Sequence, residues 1–370
     1  MSRSSTTSKD AIRYPFAEPP QKGQWIEVAR GVYWLQMALP MALDHINLYV
    51  LEDDAGWYIV DTGMKWGDTQ ERWQLLFDGP MADKPLLGVI CTHMHPDHIG
   101  QAGWLCREYR VPLYMSFGEY ISSRVFSTMG QGDLEWTTER YFLRAGIPAE
   151  VIEKMRTKFR GFGNIIEPMP KAYQRLSDGQ ILKIGGRQWR VMTGSGHSPE
   201  HVSLFCADDK LMLSGDQIIP RITSNVSVMP SEPEANPLAD WFAALTRFRE
   251  ALPADTLVMP AHNAPFYGVH YRLEYLIDHH KGHLAAVEKA CEQPKAAIEL
   301  FDVLFARKIE MSQMTLALGE SIAHLHYLYY QGRLQRELDE QGVYRYSSLD
   351  PDGSPYSRCP HQPDDGPMEV

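Results

Sequence analysis

Cysteine is scarce in this chain, and positive charge is in deficit. The five cysteines among 370 residues (Cys91, Cys106, Cys206, Cys291 and Cys359) are odd in number, widely spaced and never paired as CxxC. That excludes a disulfide framework or a thiolate zinc site as the organising feature and suits a reducing cytoplasm. The 36 Lys and Arg face 47 Asp and Glu, a net charge of −11, so no general attraction to phosphate backbones or anionic lipid exists. No stretch of about 18 uncharged apolar residues occurs, and the opening MSRSSTTSKDAIRYPF has no apolar signal-type core. A soluble, cytoplasmic protein with no membrane partner is expected.

What is present is a globular composition, 44% hydrophobic and 22% charged, in a chain long enough for one large core and a smaller appended unit. Between Gly31 and Gly63 the runs GVYWLQMAL, HINLYVLED and GWYIVDTG read as antiparallel strands. Ile46, Leu48 and Val50 alternate with Asn47 and Tyr49, and Asp53-Asp54-Ala55-Gly56 supplies a hairpin turn. Residues 66–78 suit an amphipathic helix and 86–92 a buried strand. A second set of strands is expected at 181–184, 188–193, 202–206, 211–214 and 256–259. Two β-rich halves flanked by helices predict a layered α/β sandwich. The segment from about 116 to 175 reads helically and is taken as an inserted cap. From His270 to Tyr346 the pattern is helical, closing in a small β-wing. The ends, 1–24 and 347–370, read as flexible.

The expected strand at 86–92 delivers CTHMHPDHIG, residues 91–100. His93, His95, Asp97 and His98 place four ligand-competent groups on one turn, and neutral imidazoles with a carboxylate are what zinc, iron or manganese bind. One such histidine would be read as a cap for the next helix; four donors at this spacing favour metal. Three further stretches end expected strands with a ligand type: TGSGHSPEH with His197, LSGDQII with Asp216, and MPAHNAPF with His262. Each alone is weak, because Gly-His and Gly-Asp are common in turns.

Taken in order, and with IVDTG around Asp61, these motifs resemble the metallo-β-lactamase-fold hydrolase superfamily over about residues 25–268. The resemblance implies a four-layer αββα sandwich over 25–269 with the helical cap inserted. It also implies two divalent metal ions per chain, zinc foremost, with iron or manganese as substitutes. One ion would sit among His93, His95 and His197, and the other among Asp97, His98 and His262. Asp216 would bridge them, and Asp61 would support the ligand loop without binding metal. A hydroxide shared by the two cations would be the nucleophile, with Asp97 holding it and passing a proton to the leaving group.

THxHxDHIG, GHSPEH, SGDQ and HNAPFYG, followed by a helical tail, look most like hydrolases related to glyoxalase II with a winged-helix-like C-terminal domain over 270–346. That branch implies cleavage of an acyl thioester, or of an ester or lactone, of a small organic substrate. An endoribonuclease or phosphodiesterase and a mononuclear iron persulfide dioxygenase are the alternatives, as is a ligand-binding protein without turnover. Against nucleic acid, residues 270–346 hold nine Lys and Arg and eleven Asp and Glu, a net charge of −2. The tail helix with Leu318, Ile322 and Leu325 is expected to cover the main domain or a sister subunit in a homodimer. Arg156, Lys158 and Arg160 read as solvated charges. His279, His280 and His283 read as structural or solvent-facing, since helical spacing spreads them around a surface.

Overall fold

Period-two alternation sets the layers. In strand Val32–Ala38, Val32 and Trp34 point to one face while Leu35 and Met37 point to the other, and both sets are buried. A strand apolar on both faces needs cover on both sides, so a sheet of such strands lies inside a sandwich. The computed structural model describes residues 11–41, 43–128, 134–158, 162–350 and 353–356.

The first half runs β1 Ile26–Ala29, β2 Val32–Ala38, β3 His45–Asp53, β4 Gly56–Val60, α1 Thr69–Asp78, β5 Leu86–Ile90, α2 Pro96–Ile99, α3 Ala102–Tyr109 and β6 Leu113–Met115. The cap helices follow, α4 Phe117–Phe126, α5 Trp136–Arg144 and α6 Ala149–Lys158, and then β7 Gln174–Arg175. These strands form one seven-stranded sheet in sequence order. It is antiparallel from β1 to β4 and parallel from β4 to β7. The second half contributes β8 Ile181–Ile184, β9 Arg187–Gly194, β10 His201–Cys206, β11 Leu211–Gly215, α7 Pro237–Ala251 and β12 Leu257–Pro260. Its sheet order is β12-β11-β10-β9-β8, with β11 and β12 parallel.

Trp34, Tyr49, Leu51 and Ile90 of the first sheet meet Trp189, Val191, Leu204 and Leu213 of the second in the central core. Outside the first sheet, Leu48, Val50 and Val89 pack on Trp73 and Leu105 of α1 and α3. Outside the second, Phe205 and Met212 pack on Trp241 and Leu245 of α7. Helix, sheet, sheet and helix follow one another, which is the four-layer αββα sandwich.

The C-terminal unit consists of α8 Val269–Ala290, α9 Phe301–Leu304, α10 Met314–Tyr330 and the hairpin of β13 Leu334–Leu338 with β14 Tyr344–Ser348. Leu318 and Leu325 of α10 are fully buried in the same core as Trp241 of α7 and Leu276 of α8, and this helix packs on α7 and α8. The cap helices lie where the sequence places them. Their aromatics divide: Tyr120, Tyr141 and Phe142 are buried, whereas Phe117 and Trp136 are exposed.

The ends need correction where they are described. Residues 11–24 are held against the sandwich: Arg13 and Tyr267 exchange backbone hydrogen bonds of 3.1 and 2.9 Å, and the Phe16 ring lies 6.1 Å from Trp34. Ser347 and Ser348 belong to β14 of the hairpin, and Leu349 N–H donates to Arg333 O at 3.0 Å. Residues 1–10, 351–352 and 357–370, with Cys359, lie outside the described residues, as does Arg160.

Candidate metal centre

Pro96 organises the decapeptide. A residue before proline is driven to extended backbone and proline is pre-set for the first helical position. Accordingly His95 is extended (φ −65°, ψ 147°) and Pro96 opens the single turn α2. His93 and His95 sit two residues apart in the bend that follows β5, while Asp97 and His98 share the helical turn. Gly100 lets α2 approach the loop after β4: a Cβ there would stand 2.5 Å from Gly63 O and from Lys65 N.

The remaining donors come from the C-terminal ends of other strands: His197 after β9, Asp216 after β11 and His262 after β12. Gly215 takes φ +52°, and a Cβ there would lie 2.6 Å from the His201 ring. Glycine is thus required for Asp216 to turn inward beside His201, whose Nε2 accepts from Asp216 N–H at 3.0 Å.

All seven residues expected as ligands converge, in two groups: His93, His95, His197 and Asp216, then Asp97, His98 and His262. In the first group His93 Nε2 is 2.9 Å from His95 Nδ1 and 3.3 Å from His197 Nε2. In the second, Asp97 Oδ2 is 3.5 Å from His98 Nε2 and 3.4 Å from His262 Nε2. Asp216 faces both: Oδ2 lies 3.5 Å from His197 Nε2 and 3.8 Å from His93 Nε2, while Oδ1 lies 3.5 Å from His98 Nε2 and 3.4 Å from His262 Nε2.

The far side of three of the rings is anchored, which turns their Nε2 inward. His98 Nδ1 donates to Asp61 Oδ2 at 2.8 Å, His197 Nδ1 to Asn225 O at 2.8 Å, and His262 Nδ1 to His45 O at 3.0 Å. Asp61 also accepts from Thr92 N–H at 2.7 Å and from its hydroxyl at 2.8 Å. It touches the backs of the ligands rather than the space between them.

Several supporting residues escape sequence reasoning. Glu119, in the first turn of α4, is fully buried; it accepts from Met94 N–H at 2.8 Å and from Ser198 Oγ and Glu200 N–H at 2.7 Å each. One carboxylate thus ties the His93–His95 loop to the His197 loop. Asn225 passes the His197 contact to α10, its Nδ2 donating to Glu320 Oε2 at 2.7 Å. Glu119, Asn225 and Glu320 are lone polar residues in stretches without a motif. Only the second histidine of GHSPEH carried a signal.

The field is cation-seeking. Burial pushes His93 well below its ordinary value and His95 down to about 3, so both are neutral donors. Burial also opposes charge on His98 and His262, yet the carboxylates outweigh it, lifting His98 well above its usual range and His262 to about 10. Asp97 is held at about 2 because His98 and His262 overcome its burial. His98 Nε2 and Asp216 Oδ1 are buried without a hydrogen-bond partner among the described residues. Two buried carboxylates that favour positive charge on the His98 and His262 rings would favour a metal cation in the protons' place, so the donor set fits divalent metal. A cavity of about 230 Å³ between α5 and the C-terminal unit, bordered by Arg140, Tyr141 and His326, is lined by none of the seven.

An αββα sandwich that gathers five histidines and two aspartates at its strand ends is a metal-site α/β sandwich. A family model described as the metallo-beta-lactamase superfamily matches residues 42–262, and one described as metallo-beta-lactamase-like, C-terminal domain, matches 284–349. The chain belongs to the metallo-β-lactamase superfamily. It is similar to the crystal structure of a beta-lactamase domain protein from Burkholderia ambifaria, with 40% identity and a TM-score of 0.85 over 92% of this chain and 99% of that one. A metallo-beta-lactamase family protein from Thermus thermophilus is similar at 28% identity and a TM-score of 0.73, over 87% of this chain and 99% of that one. Among curated proteins, an acyl-coenzyme A thioesterase of Bos taurus is 26% identical over 51% of this chain and 63% of its own length. Among the described residues no helix is long and apolar enough to cross a membrane.

Proposed function

We propose that this protein is a cytoplasmic hydrolase that holds two divalent ions, zinc foremost and iron or manganese as substitutes, and cleaves an acyl thioester or an ester or lactone of a small organic substrate. The observation that carries the reading is Asp216, whose two oxygens face two separate donor groups at 3.4–3.8 Å. A carboxylate so placed serves two cations at once. Ions bound there would polarise the scissile carbonyl and bring the pKa of a shared water toward neutrality.

The chain's own residues do the rest. Asp97, more open than Asp216 with 15% against 9% side-chain exposure, is kept ionised and is placed to take a proton from the attacking water and return it to the leaving thiol or alcohol. Asp61, Asn225 and His45 hold the rings that surround the reacting centre. Helix α4 is anchored at the site through Glu119. An acyl chain as the group recognised rests on the likeness to an acyl-coenzyme A thioesterase. In this reading the C-terminal unit is the winged-helix-like extension of the glyoxalase II-related branch, and it serves packing rather than nucleic acid.

The test is turnover of a panel of acyl thioesters, lactones, aryl esters, a sulfate ester and a phosphodiester by protein purified without chelator. Metal-dependent cleavage of thioester, ester or lactone is expected. Cleavage confined to the phosphodiester or the sulfate ester, or no hydrolysis at all, would overturn the reading.

A further inference from the structure

A second cluster of imidazoles lies in the C-terminal unit, outside the seven-residue centre. His280 and His283 sit three residues apart on α8, and His324 faces them from α10. All three are buried, and they offer nitrogens within 4.8 Å of one another. Of the two placements expected for these histidines, structural or solvent-facing, the solvent-facing one is corrected: α8 is enclosed over a broad face, burying His279, His280 and His283 together with Leu276, Leu284 and Val287.

We propose that His280, His283 and His324 form a further metal site, structural in role, that takes one borderline divalent cation such as zinc.

His324 has the arrangement of a ligating imidazole. Its Nδ1 donates to Glu320 O at 2.9 Å, so the hydrogen sits there and Nε2 is a bare lone pair, fixed in direction by a backbone carbonyl. That lone pair stands 3.2 Å from His280 Nδ1. Two imidazoles on one tetrahedral zinc, at about 2.0–2.1 Å each, have nitrogens about 3.3 Å apart. A plain hydrogen bond would also span this distance, but it would make His280 Nδ1 the donor and leave His280 Nε2 as a bare lone pair. His280 Nε2 is fully buried and has no hydrogen-bond partner among the described residues, an arrangement that costs about 1–3 kcal/mol. A cation held by His324 Nε2 and His280 Nδ1 would take both lone pairs that face each other, and the ring hydrogen of His280 would then sit on Nε2.

The surroundings select the ion. Burial keeps His280 well below its ordinary value and His324 down to about 4, so both are neutral at physiological pH, the form that binds metal. Three nitrogens with no carboxylate among them suit zinc and its borderline neighbours, not calcium or magnesium, which require oxygen. Phe242 lies 6.1 Å from His280 and walls the site. The ion would clamp α8 to α10, the helix whose Glu320 holds Asn225 against His197.

Anomalous diffraction above the zinc edge, on wild-type crystals grown with zinc chloride, tests this without substitution. A peak enclosed by His280, His283 and His324 is the expected result. Peaks at the seven-residue centre with none between α8 and α10 would overturn the proposal. In solution, the full-length variants His280→Leu and His324→Leu, which keep an apolar volume in a helical core, are expected to bind one zinc equivalent fewer than wild type while keeping thioester turnover. Wild-type stoichiometry in a folded variant would reduce the cluster to hydrogen-bonded core histidines. If neither variant folds, the diffraction result decides.

Discussion

Asp61 holds a backbone conformation (φ +60°) that side-chain-bearing residues adopt rarely, at a cost on the order of 1 kcal/mol. Its hydrogen bonds to Thr92 and His98 are what this conformation secures. Asp61→Asn keeps the size and the tolerance of left-handed backbone but puts an amide N–H₂ or a weaker acceptor against buried donors. The expected outcome is a loss of about 1–3 kcal/mol in urea unfolding and a zinc affinity reduced about 10–100-fold by calorimetric titration. Unchanged affinity would show that Asp61 does not orient His98. At this scale the sequence was informative wherever donors crowd together: His93, His95, Asp97 and His98 declare themselves by density, and His197, Asp216 and His262 by recurring after strands. Glu119, Asn225 and Glu320 were silent because a single Glu or Asn on a helix or loop has a solvated reading by default. Only tertiary contact reveals what each accepts from.

Two helices remote from the strand ends fix the ligand loops, and each can be cut separately. Glu119→Ala on α4 removes the shared acceptor for Met94 N–H, Ser198 Oγ and Glu200 N–H. Stranding these buried donors is expected to cost on the order of 3 kcal/mol, read by urea denaturation, with a matching loss of turnover. Glu320→Ala on α10 frees Asn225, and with it the His197 ring. Zinc affinity at the first donor group is expected to fall about tenfold, while far-ultraviolet circular dichroism stays unchanged. Wild-type affinity would show that the C-terminal helix does not reach the site. The strands themselves were legible from alternation and turn residues, as β9 with its Gly185-Gly186 turn illustrates. The burial of α8 was not, because a 22-residue helix packed on α7, α9 and α10 buries more of its circumference than a one-stripe amphipathic pattern suggests.

For the whole molecule, the central consequence is that metal and fold are linked. The seven donors come from loops after β5, β9, β11 and β12, so cations that bind them bridge both sheets and stabilise only the folded chain. At a free concentration 100 times the dissociation constant, one ion adds about 2.7 kcal/mol. EDTA is therefore expected to lower Tm by about 5 °C or more, with recovery on adding zinc; a Tm indifferent to chelator would contradict the linkage. The sandwich and its order of layers could be read from the chain because both faces of its strands are apolar. How the C-terminal unit reaches the site through Glu320 and Asn225 could not, since it depends on packing between segments about 95 residues apart.

The most direct measurement is a side-by-side comparison of wild type and Asp216→Ala for bound zinc and for thioester turnover, with folding checked by circular dichroism. If Asp216 serves both donor groups, the variant folds, binds at least one zinc equivalent fewer, and loses turnover on the order of 100-fold or more. A folded variant with wild-type zinc and near wild-type turnover would contradict the two-ion centre.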